Sequence, residues 1–203
     1  MSILRNTPTS PLPEFEYAID VAVIGAGACG LTAALAARDA GADVLVFERD
    51  KRPWGSTSMS LGAVCGVGSK EQQRHGIDDS AAAFVADVMA KTEQRADVRL
   101  ARLIGERSGG VLDWLNETHQ VPLLLDAKWT GLGHSSRRLH IPPGRNGEEL
   151  LALLLNACAR AGAEVVTEAT VTALYADEDN RVVGLKVERP GGVIENIGCS
   201  AVV

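Results

Sequence analysis

Two short runs of apolar residues stand near the start of the chain, Val21 to Ile24 and Val44 to Phe47. Such runs are typical of strands in a parallel sheet that is covered on both faces. The residues between them, from Ala28 to about Ala40, are rich in Ala and Leu, and Gly41 follows where a left-handed glycine would end a helix. The pattern predicts a strand, a helix and a second strand parallel to the first.

The next segment, RDKRPWGSTSMSLGAVCGVGSK, has neither a helical nor an alternating pattern and is rich in Gly and Ser. Long stretches without secondary structure in compact domains are usually functional loops or disordered segments. We therefore expect a functional loop here, and an exposed linker is the alternative.

Helical spacing returns in two segments, from Ser80 to about Lys91 and from Val98 to about Asn116. Asp97 is placed to cap the second of these helices, because an aspartate carboxylate can accept from the first free backbone amides. The adjacent Gly109 and Gly110 should weaken or bend this helix, since glycine is a poor helix former.

The last part of the chain begins irregularly, at residues 121 to 145, and then becomes regular again. The stretch NGEELLALLLNACARAG predicts a helix with Asn146 and Glu149 as a capping box and Gly162 at its end. One parallel strand and then a β-meander are predicted beyond it, separated by the turn signals DEDN and RPGG. Because the final AVV also has the pattern of a strand, we expect a domain that is interrupted at Val203.

Composition narrows the possible partners. Of the 203 residues 46% are hydrophobic, enough for a substantial core, and the net charge is −6 with no block of Lys or Arg longer than a pair. No positive surface for nucleic acid or anionic lipid is indicated, so a small molecule is the expected partner. The oligomeric state is left open. The four cysteines form no C-x-x-C pair, and no metal site is predicted.

The start of the chain gives the expected compartment. Residues 1 to 17 lack the apolar centre of a signal peptide, and no apolar run approaches the roughly 20 residues of a membrane span. We expect a cytoplasmic protein with a flexible leader over residues 1 to 17.

A glycine motif, VIGAGACG, follows the first predicted strand. In such a motif Gly25 makes the tight turn, Gly27 lets a pyrophosphate approach the backbone, and Gly30 lets the helix pack closely on the strand. The amides of Ala28 and Cys29, at the positive end of the helix, are then expected to be free donors for the anion. The context of strand, motif and helix predicts a dinucleotide site.

The acid Glu48 ends the second predicted strand, where its carboxylate can accept hydrogen bonds from ribose hydroxyls. It would repel a 2'-phosphate, so a ligand of the NADP type is disfavoured. The glycines and the acid do not separate FAD from NAD. The long insertion before the next parallel strand counts against a simple NAD-binding domain.

Four segments together resemble a known family. They are DVAVIGAGACGLTAALAARDAGADVLVFERD, WGSTSMSLGAV, RRLHIPPGRNGEELLALLLNACARAGAEVVTEATVTALYADEDNRVVGLKV and IGCSAVV. In this order they are similar to the N-terminal part of FAD-dependent oxidoreductases of the fumarate reductase/succinate dehydrogenase flavoprotein family, which includes 3-ketosteroid dehydrogenases. The resemblance implies an α/β fold, with a Rossmann-like FAD-binding domain over residues 18 to 203 that is incomplete at its C-terminus. Residues 70 to 145 would be a helical and irregular insertion.

The resemblance also implies which residues hold the cofactor. Those facing the pyrophosphate would be Gly25, Gly27, Ala28, Cys29 and Gly30, and those facing the adenosine ribose Glu48 and Arg49. Gly55, Ser56 and Thr57 match the family's Gly-Gly-Asn/Ser-Thr stretch, with Trp54 in place of its first glycine. Gly62 and Ala63 would continue towards the isoalloxazine, and the backbone of Val171 would meet the adenine.

Cations cluster in the stretch GLGHSSRRLHIP. His134, Arg137, Arg138 and His140 could bind an anionic substrate such as a dicarboxylate through charge-assisted hydrogen bonds. A solvated loop is the alternative.

The function implied by the resemblance is hydride transfer between flavin N5 and a carbon-carbon bond of a small organic acid or steroid-like substrate. The substrate and the direction of the reaction stay open. Because family members continue beyond the final strand, we expect weak or absent turnover from this polypeptide alone. The alternatives are a non-catalytic, truncated nucleotide-binding module and an NAD-dependent dehydrogenase.

Overall fold

The computed structural model describes residues 1–7 and 11–203. The strands are β1 (Ser2–Arg5), β2 (Tyr17–Ile24), β3 (Val44–Phe47), β4 (Val64–Cys65), β5 (Leu124–Leu125), β6 (Leu139–Ile141), β7 (Glu164–Val166), β8 (Thr170–Ala176), β9 (Val182–Arg189) and β10 (Val193–Val202). The helices are α1 (Ala28–Asp39), α2 (Gly55–Ser58), α3 (Lys70–Arg74), α4 (Ala81–Lys91), α5 (Val98–Glu117) and α6 (Gly147–Ala161), with a 3-10 turn at Pro190–Gly192.

The chain forms two compact units. The first comprises residues 1–57 and 154–203, and the second comprises residues 58–153. The second unit is therefore wider than the insertion of residues 70 to 145 that the sequence predicts. Over the described residues, no helix combines the length and the apolar character needed to cross a membrane.

A seven-stranded sheet forms the centre of the first unit, in the order β1-β8-β9-β10-β2-β3-β7. Strands β10, β2, β3 and β7 are parallel to one another, and β8, β9 and β10 form an antiparallel meander. The predicted strand–helix–strand unit is confirmed as β2, α1 and β3, with Val21 opposite Val44 and Ile24 opposite Phe47. The α/β class, the parallel strands and the meander all agree with the sequence.

The core of the first unit is built from the apolar faces of these strands. Ala22, Phe47, Leu185 and Ile197 are buried in one cluster on the sheet. Helix α1 buries Leu31, Ala34 and Leu35, and its apolar residues therefore anchor it in the core. This burial fixes the start of α1, and with it the glycine motif.

The predicted flexible leader is wrong for residues 2–5, which form the edge strand β1. Ser2 lies opposite Ala173 and Arg5 opposite Ala176, in parallel register with β8. The free edge of β8 would otherwise leave its backbone donors and acceptors unpaired, and β1 pairs them. Residues 8–10 of the predicted leader lie outside the described residues.

The second unit contains α3, α4, α5 and a three-stranded sheet in the order β4-β6-β5. Helices α4 and α5 are confirmed, and the Asp97 carboxylate caps α5 by accepting from the amides of Arg99 at 2.8 Å and Leu100 at 3.3 Å. The predicted loop that ends at Lys70 is not wholly irregular, since it contains α2 and β4. At its end, a capping box between Ser69 and Gln72 begins α3. Both side chains are buried, so this turn belongs to the core of its unit.

Helix α5 runs through both of its adjacent glycines without interruption, whereas the sequence predicts weakening or bending there. A Cβ on Gly109 would lie 2.1 Å from the carbonyl oxygen of Val67, and a Cβ on Gly110 would meet nothing within 4 Å. Gly109 thus permits a close approach of backbone to helix, because any side chain would collide there.

Candidate cofactor-binding site

The glycine motif forms the turn between β2 and α1. Gly25 has a φ of +101°, a left-handed conformation that disfavours other residues, and its amide donates to the carbonyl of Phe47 at 2.8 Å. A Cβ on Gly30 would lie 2.0 Å from the Gly25 carbonyl oxygen. Two of the three glycines are therefore required by the turn itself.

Gly27 is the N-cap residue of α1 and, because it has no side chain, it cannot cap the helix with one. The first amide of the helix, that of Ala28, donates to Thr57 Oγ1 at 3.0 Å. The prediction that this amide is a free donor is therefore wrong, because Thr57 of the short helix α2 caps α1 from a distance. The amides of Cys29 and Gly30 have no acceptor within the helix, as for any first turn.

Glu48 is held by two backbone hydrogen bonds. Its Oε2 accepts from the amide of Ala26 at 3.0 Å, and its Oε1 accepts from the amide of Asp50 at 3.0 Å. The residue is only 9% exposed. Because each carboxylate oxygen can accept more than one hydrogen bond, both keep acceptor capacity for a ligand hydroxyl.

These elements surround one cavity of about 490 Å³ in the first unit. Most of the predicted cofactor residues line it: Gly25, Gly27, Ala28, Cys29, Glu48, Arg49, Gly55, Ser56, Thr57 and Val171. The sequence missed Asp50, Ala169 and Thr170, which also line it. The Ala169 amide donates to the Glu48 carbonyl at 2.9 Å, so the turn before β8 is tied to the end of β3.

Three predicted residues do not line this cavity. Gly30 lies within α1 and serves packing instead. Gly62 and Ala63 belong to the second unit, where a Cβ on Gly62 would lie 2.8 Å from the Asn146 carbonyl oxygen. Gly62 also has a φ of +68°, which gives it a local structural reason to be glycine.

The predicted substrate residues lie in the second unit. Arg138 is completely buried; its Nε and Nη2 donate to the two oxygens of Asp79 at 2.7 and 2.8 Å, and its Nη1 donates to Asp87 at 2.5 Å. The guanidinium also lies 5.5 Å from the ring centroid of Phe84. Two carboxylates thus neutralise this cation within its own unit, and Arg138 has a structural role there.

His140 is also completely buried. Its Nδ1 donates to the carbonyl of Arg138 at 2.8 Å, so Nε2 is the acceptor and receives the Ser69 hydroxyl at 2.7 Å. Burial lowers its pKa, which keeps the imidazole neutral. His134 is half-buried and Arg137 is exposed. The four residues of the predicted cation cluster therefore differ in exposure and do not form one exposed group of cations.

The residues of the first unit fit an adenine dinucleotide. Gly27 leaves the entrance of α1 free of any side chain, the first-turn amides offer donors to a pyrophosphate, and Glu48 offers acceptors to a ribose. The fold and this cavity define a dinucleotide-binding α/β protein. The chain belongs to the FAD binding domain family, whose model matches residues 20–203. The choice between FAD and NAD is thereby decided for FAD.

Two curated relatives illustrate the membership. The chain is 32% identical over 185 residues to the probable fumarate reductase Ifc3 of Shewanella frigidimarina (strain NCIMB 400), covering 90% of this chain and 31% of the relative. It is 32% identical over 169 residues to a urocanate reductase of Eggerthella lenta, covering 83% and 28%. The chain thus spans less than a third of the length of either relative.

Solved structures agree with this result. A flavocytochrome c3 fumarate reductase in its open conformation superposes with a TM-score of 0.83 at 31% identity, covering 93% of this chain and 33% of that chain. A 3-ketosteroid-Δ4-(5α)-dehydrogenase from Rhodococcus jostii RHA1 superposes with a TM-score of 0.79 at 26% identity, covering 95% and 46%. The resemblance seen in the sequence is confirmed.

Proposed function

We propose that this chain is the FAD-binding part of an oxidoreductase acting on a carbon-carbon bond of a small organic acid or a steroid-like compound. The observation that carries the proposal is the cavity of the first unit, where the start of α1 and the Glu48 carboxylate lie together in a member of the FAD binding domain family. The names of the relatives, which are reductases and a dehydrogenase, support the substrate classes.

Different residues of the cavity would bind different parts of FAD. The amide of Cys29, which lines the cavity, would hold the pyrophosphate at the positive end of α1. The Glu48 carboxylate would accept from the ribose hydroxyls, and the backbone at Val171 would contact the adenine. Ser56 and Thr57 supply hydroxyls without bulk, as a cofactor cradle requires.

Bound FAD would supply hydride exchange at N5, and the chain's own residues would bind and orient it. Arg138 and His140 already have partners in their own unit. We therefore propose that the 203-residue polypeptide binds FAD but turns over weakly or not at all. This also keeps the non-catalytic nucleotide-binding module as the second candidate, which the cavity favours because all its lining residues belong to the first unit.

The test is a titration of the purified polypeptide with FAD, NAD and NADP by calorimetry, followed by absorbance of the flavin retained on gel filtration. FAD should bind at least tenfold more tightly than either nicotinamide nucleotide. Tighter binding of NAD, or no binding of FAD, would overturn the proposal. Reduction of fumarate or urocanate by a reduced dye then tests the second candidate: turnover above that of free FAD would exclude the non-catalytic module, whereas bound flavin without turnover is expected from both.

A further inference from the structure

Trp54 is an unusually large residue in the lining of the cofactor cavity. It stands where the resembling family has the first glycine of its Gly-Gly-Asn/Ser-Thr stretch, and it lines the cavity together with Arg49 and Gly55. The residue is 38% exposed. A large exposed indole therefore replaces a residue without a side chain.

The indole is held in place by a neighbour. The Arg52 guanidinium carbon lies 4.5 Å from the centroid of the Trp54 ring. This distance is within the range of a cation–π contact, in which the cation covers one face of the ring. The other face of an aromatic ring remains available for a second stacking partner.

The position of Trp54 indicates which partner this is. Two aromatic side chains line the cavity among the described residues, and Phe47 is only 1% exposed, so Trp54 is the one with surface to offer. Glu48, Thr170 and Val171 line the same cavity. Of these residues, Glu48 and Val171 are assigned above to the adenosine end of the cofactor.

We propose that Trp54 stacks on the adenine ring of the bound dinucleotide, and that Arg52 is a positioning residue that holds the indole for this contact. The inference rests on the proposed function and adds a specificity determinant to it: the site should select ligands that carry adenine. Base–aromatic stacking of this kind changes affinity by roughly 5- to 150-fold per base.

ADP is the probe for the test, because it carries the adenine and the pyrophosphate without the flavin. Trp54→Gly restores the family's glycine and should weaken ADP and FAD binding by the same factor, roughly 5- to 150-fold. Trp54→Phe keeps a stacking face and should lose much less. Trp129→Phe removes an exposed tryptophan of the second unit and is the matched control, expected to bind ADP like the wild type.

A fluorescence measurement tests the contact without disturbing it. In a Trp114→Phe/Trp129→Phe double variant Trp54 is the single tryptophan of the chain, and ADP should quench its emission while ribose 5-phosphate should not. Arg52→Met should reduce this quenching, and Arg52→Lys should restore it because it retains the cation.

The outcomes separate this inference from the proposed function. If wild-type protein binds FAD and ADP, but a folded Trp54→Gly variant binds ADP as tightly or more tightly, the stacking is wrong and the proposed function stands. If that variant does not fold, unchanged Trp54 emission on saturation with ADP overturns the stacking equally. If wild-type protein binds neither ligand, both proposals fail.

Discussion

The backbone amide of Ala28 and the hydroxyl oxygen of Thr57 are joined by a hydrogen bond of 3.0 Å. The bond connects the first turn of α1 to the short helix α2 that follows β3, so α2 completes a helix end that Gly27 leaves without a side-chain cap. The two parts of the chain that contact the cofactor in our proposal are thus fixed to each other before any ligand binds.

Replacing Thr57 by valine keeps the shape of the side chain and removes the acceptor. We expect Thr57→Val to lower the free energy of unfolding by about 1 kcal/mol and to weaken FAD binding several-fold, because the Ala28 amide loses its partner. Thr57→Ser should retain both values, as measured by urea denaturation and calorimetry. Ser58→Ala is the control, since the Ser58 hydroxyl has no hydrogen-bond partner among the described residues. Equal stability of the Val and Ser variants would contradict the role of the bond.

This hydrogen bond also shows which part of the structure cannot be predicted from local sequence patterns. The strand–helix–strand unit, the cap of α5 and the meander all follow from local patterns, in which neighbouring residues decide the structure. The acceptor for Ala28 lies far along the chain, and no local pattern identifies a hydrogen bond between distant loops. The partners of Arg138 and His140, which are Asp79 and Ser69, are also distant in the sequence, so local patterns could not show that these two side chains are already hydrogen-bonded.

Replacing Glu48 by glutamine puts an amide group where two backbone donors need acceptors. One of the amides of Ala26 and Asp50 would then face a donor, so we expect Glu48→Gln to lose about 1–3 kcal/mol of stability. Binding of FAD should weaken as well. Glu178→Gln, on an exposed turn residue, is the matched charge control and should change neither quantity. A stable Glu48→Gln protein with undiminished FAD affinity would show that neither backbone bond matters.

The adjacent glycines of α5 give opposite expectations. Gly109→Ala should destabilise the protein by about 1–3 kcal/mol, because its methyl group would meet the Val67 carbonyl oxygen at 2.1 Å. Gly110→Ala should stabilise it by about 0.5–1 kcal/mol, since the position is helical and open. Thermal and chemical denaturation of the pair measure the difference. Similar effects of both substitutions would argue against the close contact at Gly109.

The free energy of unfolding should fall in acid partly because the Asp87 carboxylate becomes protonated. Burial raises the pKa of this carboxyl, but hydrogen bonds from Ser135 and Arg138 outweigh it and hold the pKa at about 2, below the ordinary 3.8. Since the folded state resists protonation, the stabilisation is complete above the ordinary pKa and is lost as the pH falls from about 4 through about 2. Asp87→Asn should therefore be less stable than wild type near neutral pH, and the difference should shrink in this range. A difference that does not change with pH would rule out the ionised carboxylate as its cause.

Cys29 should be the cysteine that reports cofactor binding. It is exposed at the start of α1 and lines the cavity, whereas Cys158 and Cys199 are buried. Burial raises the pKa of these two thiols, that of Cys158 to about 11, and so lowers their reactive thiolate fraction. Iodoacetamide at about pH 8 should thus label Cys29 at least roughly tenfold faster, as read by peptide mass spectrometry.

Saturating FAD or ADP should slow the labelling of Cys29, because the pyrophosphate would lie against its amide. The same ligands should leave the labelling of Cys65 unchanged, since that residue belongs to the second unit and lies outside the cavity. Cys29→Ser identifies the modified position and removes the fast phase. Labelling of Cys29 at the same rate with and without bound FAD would place the pyrophosphate away from the start of α1, and the assignment of the glycine motif would have to be abandoned.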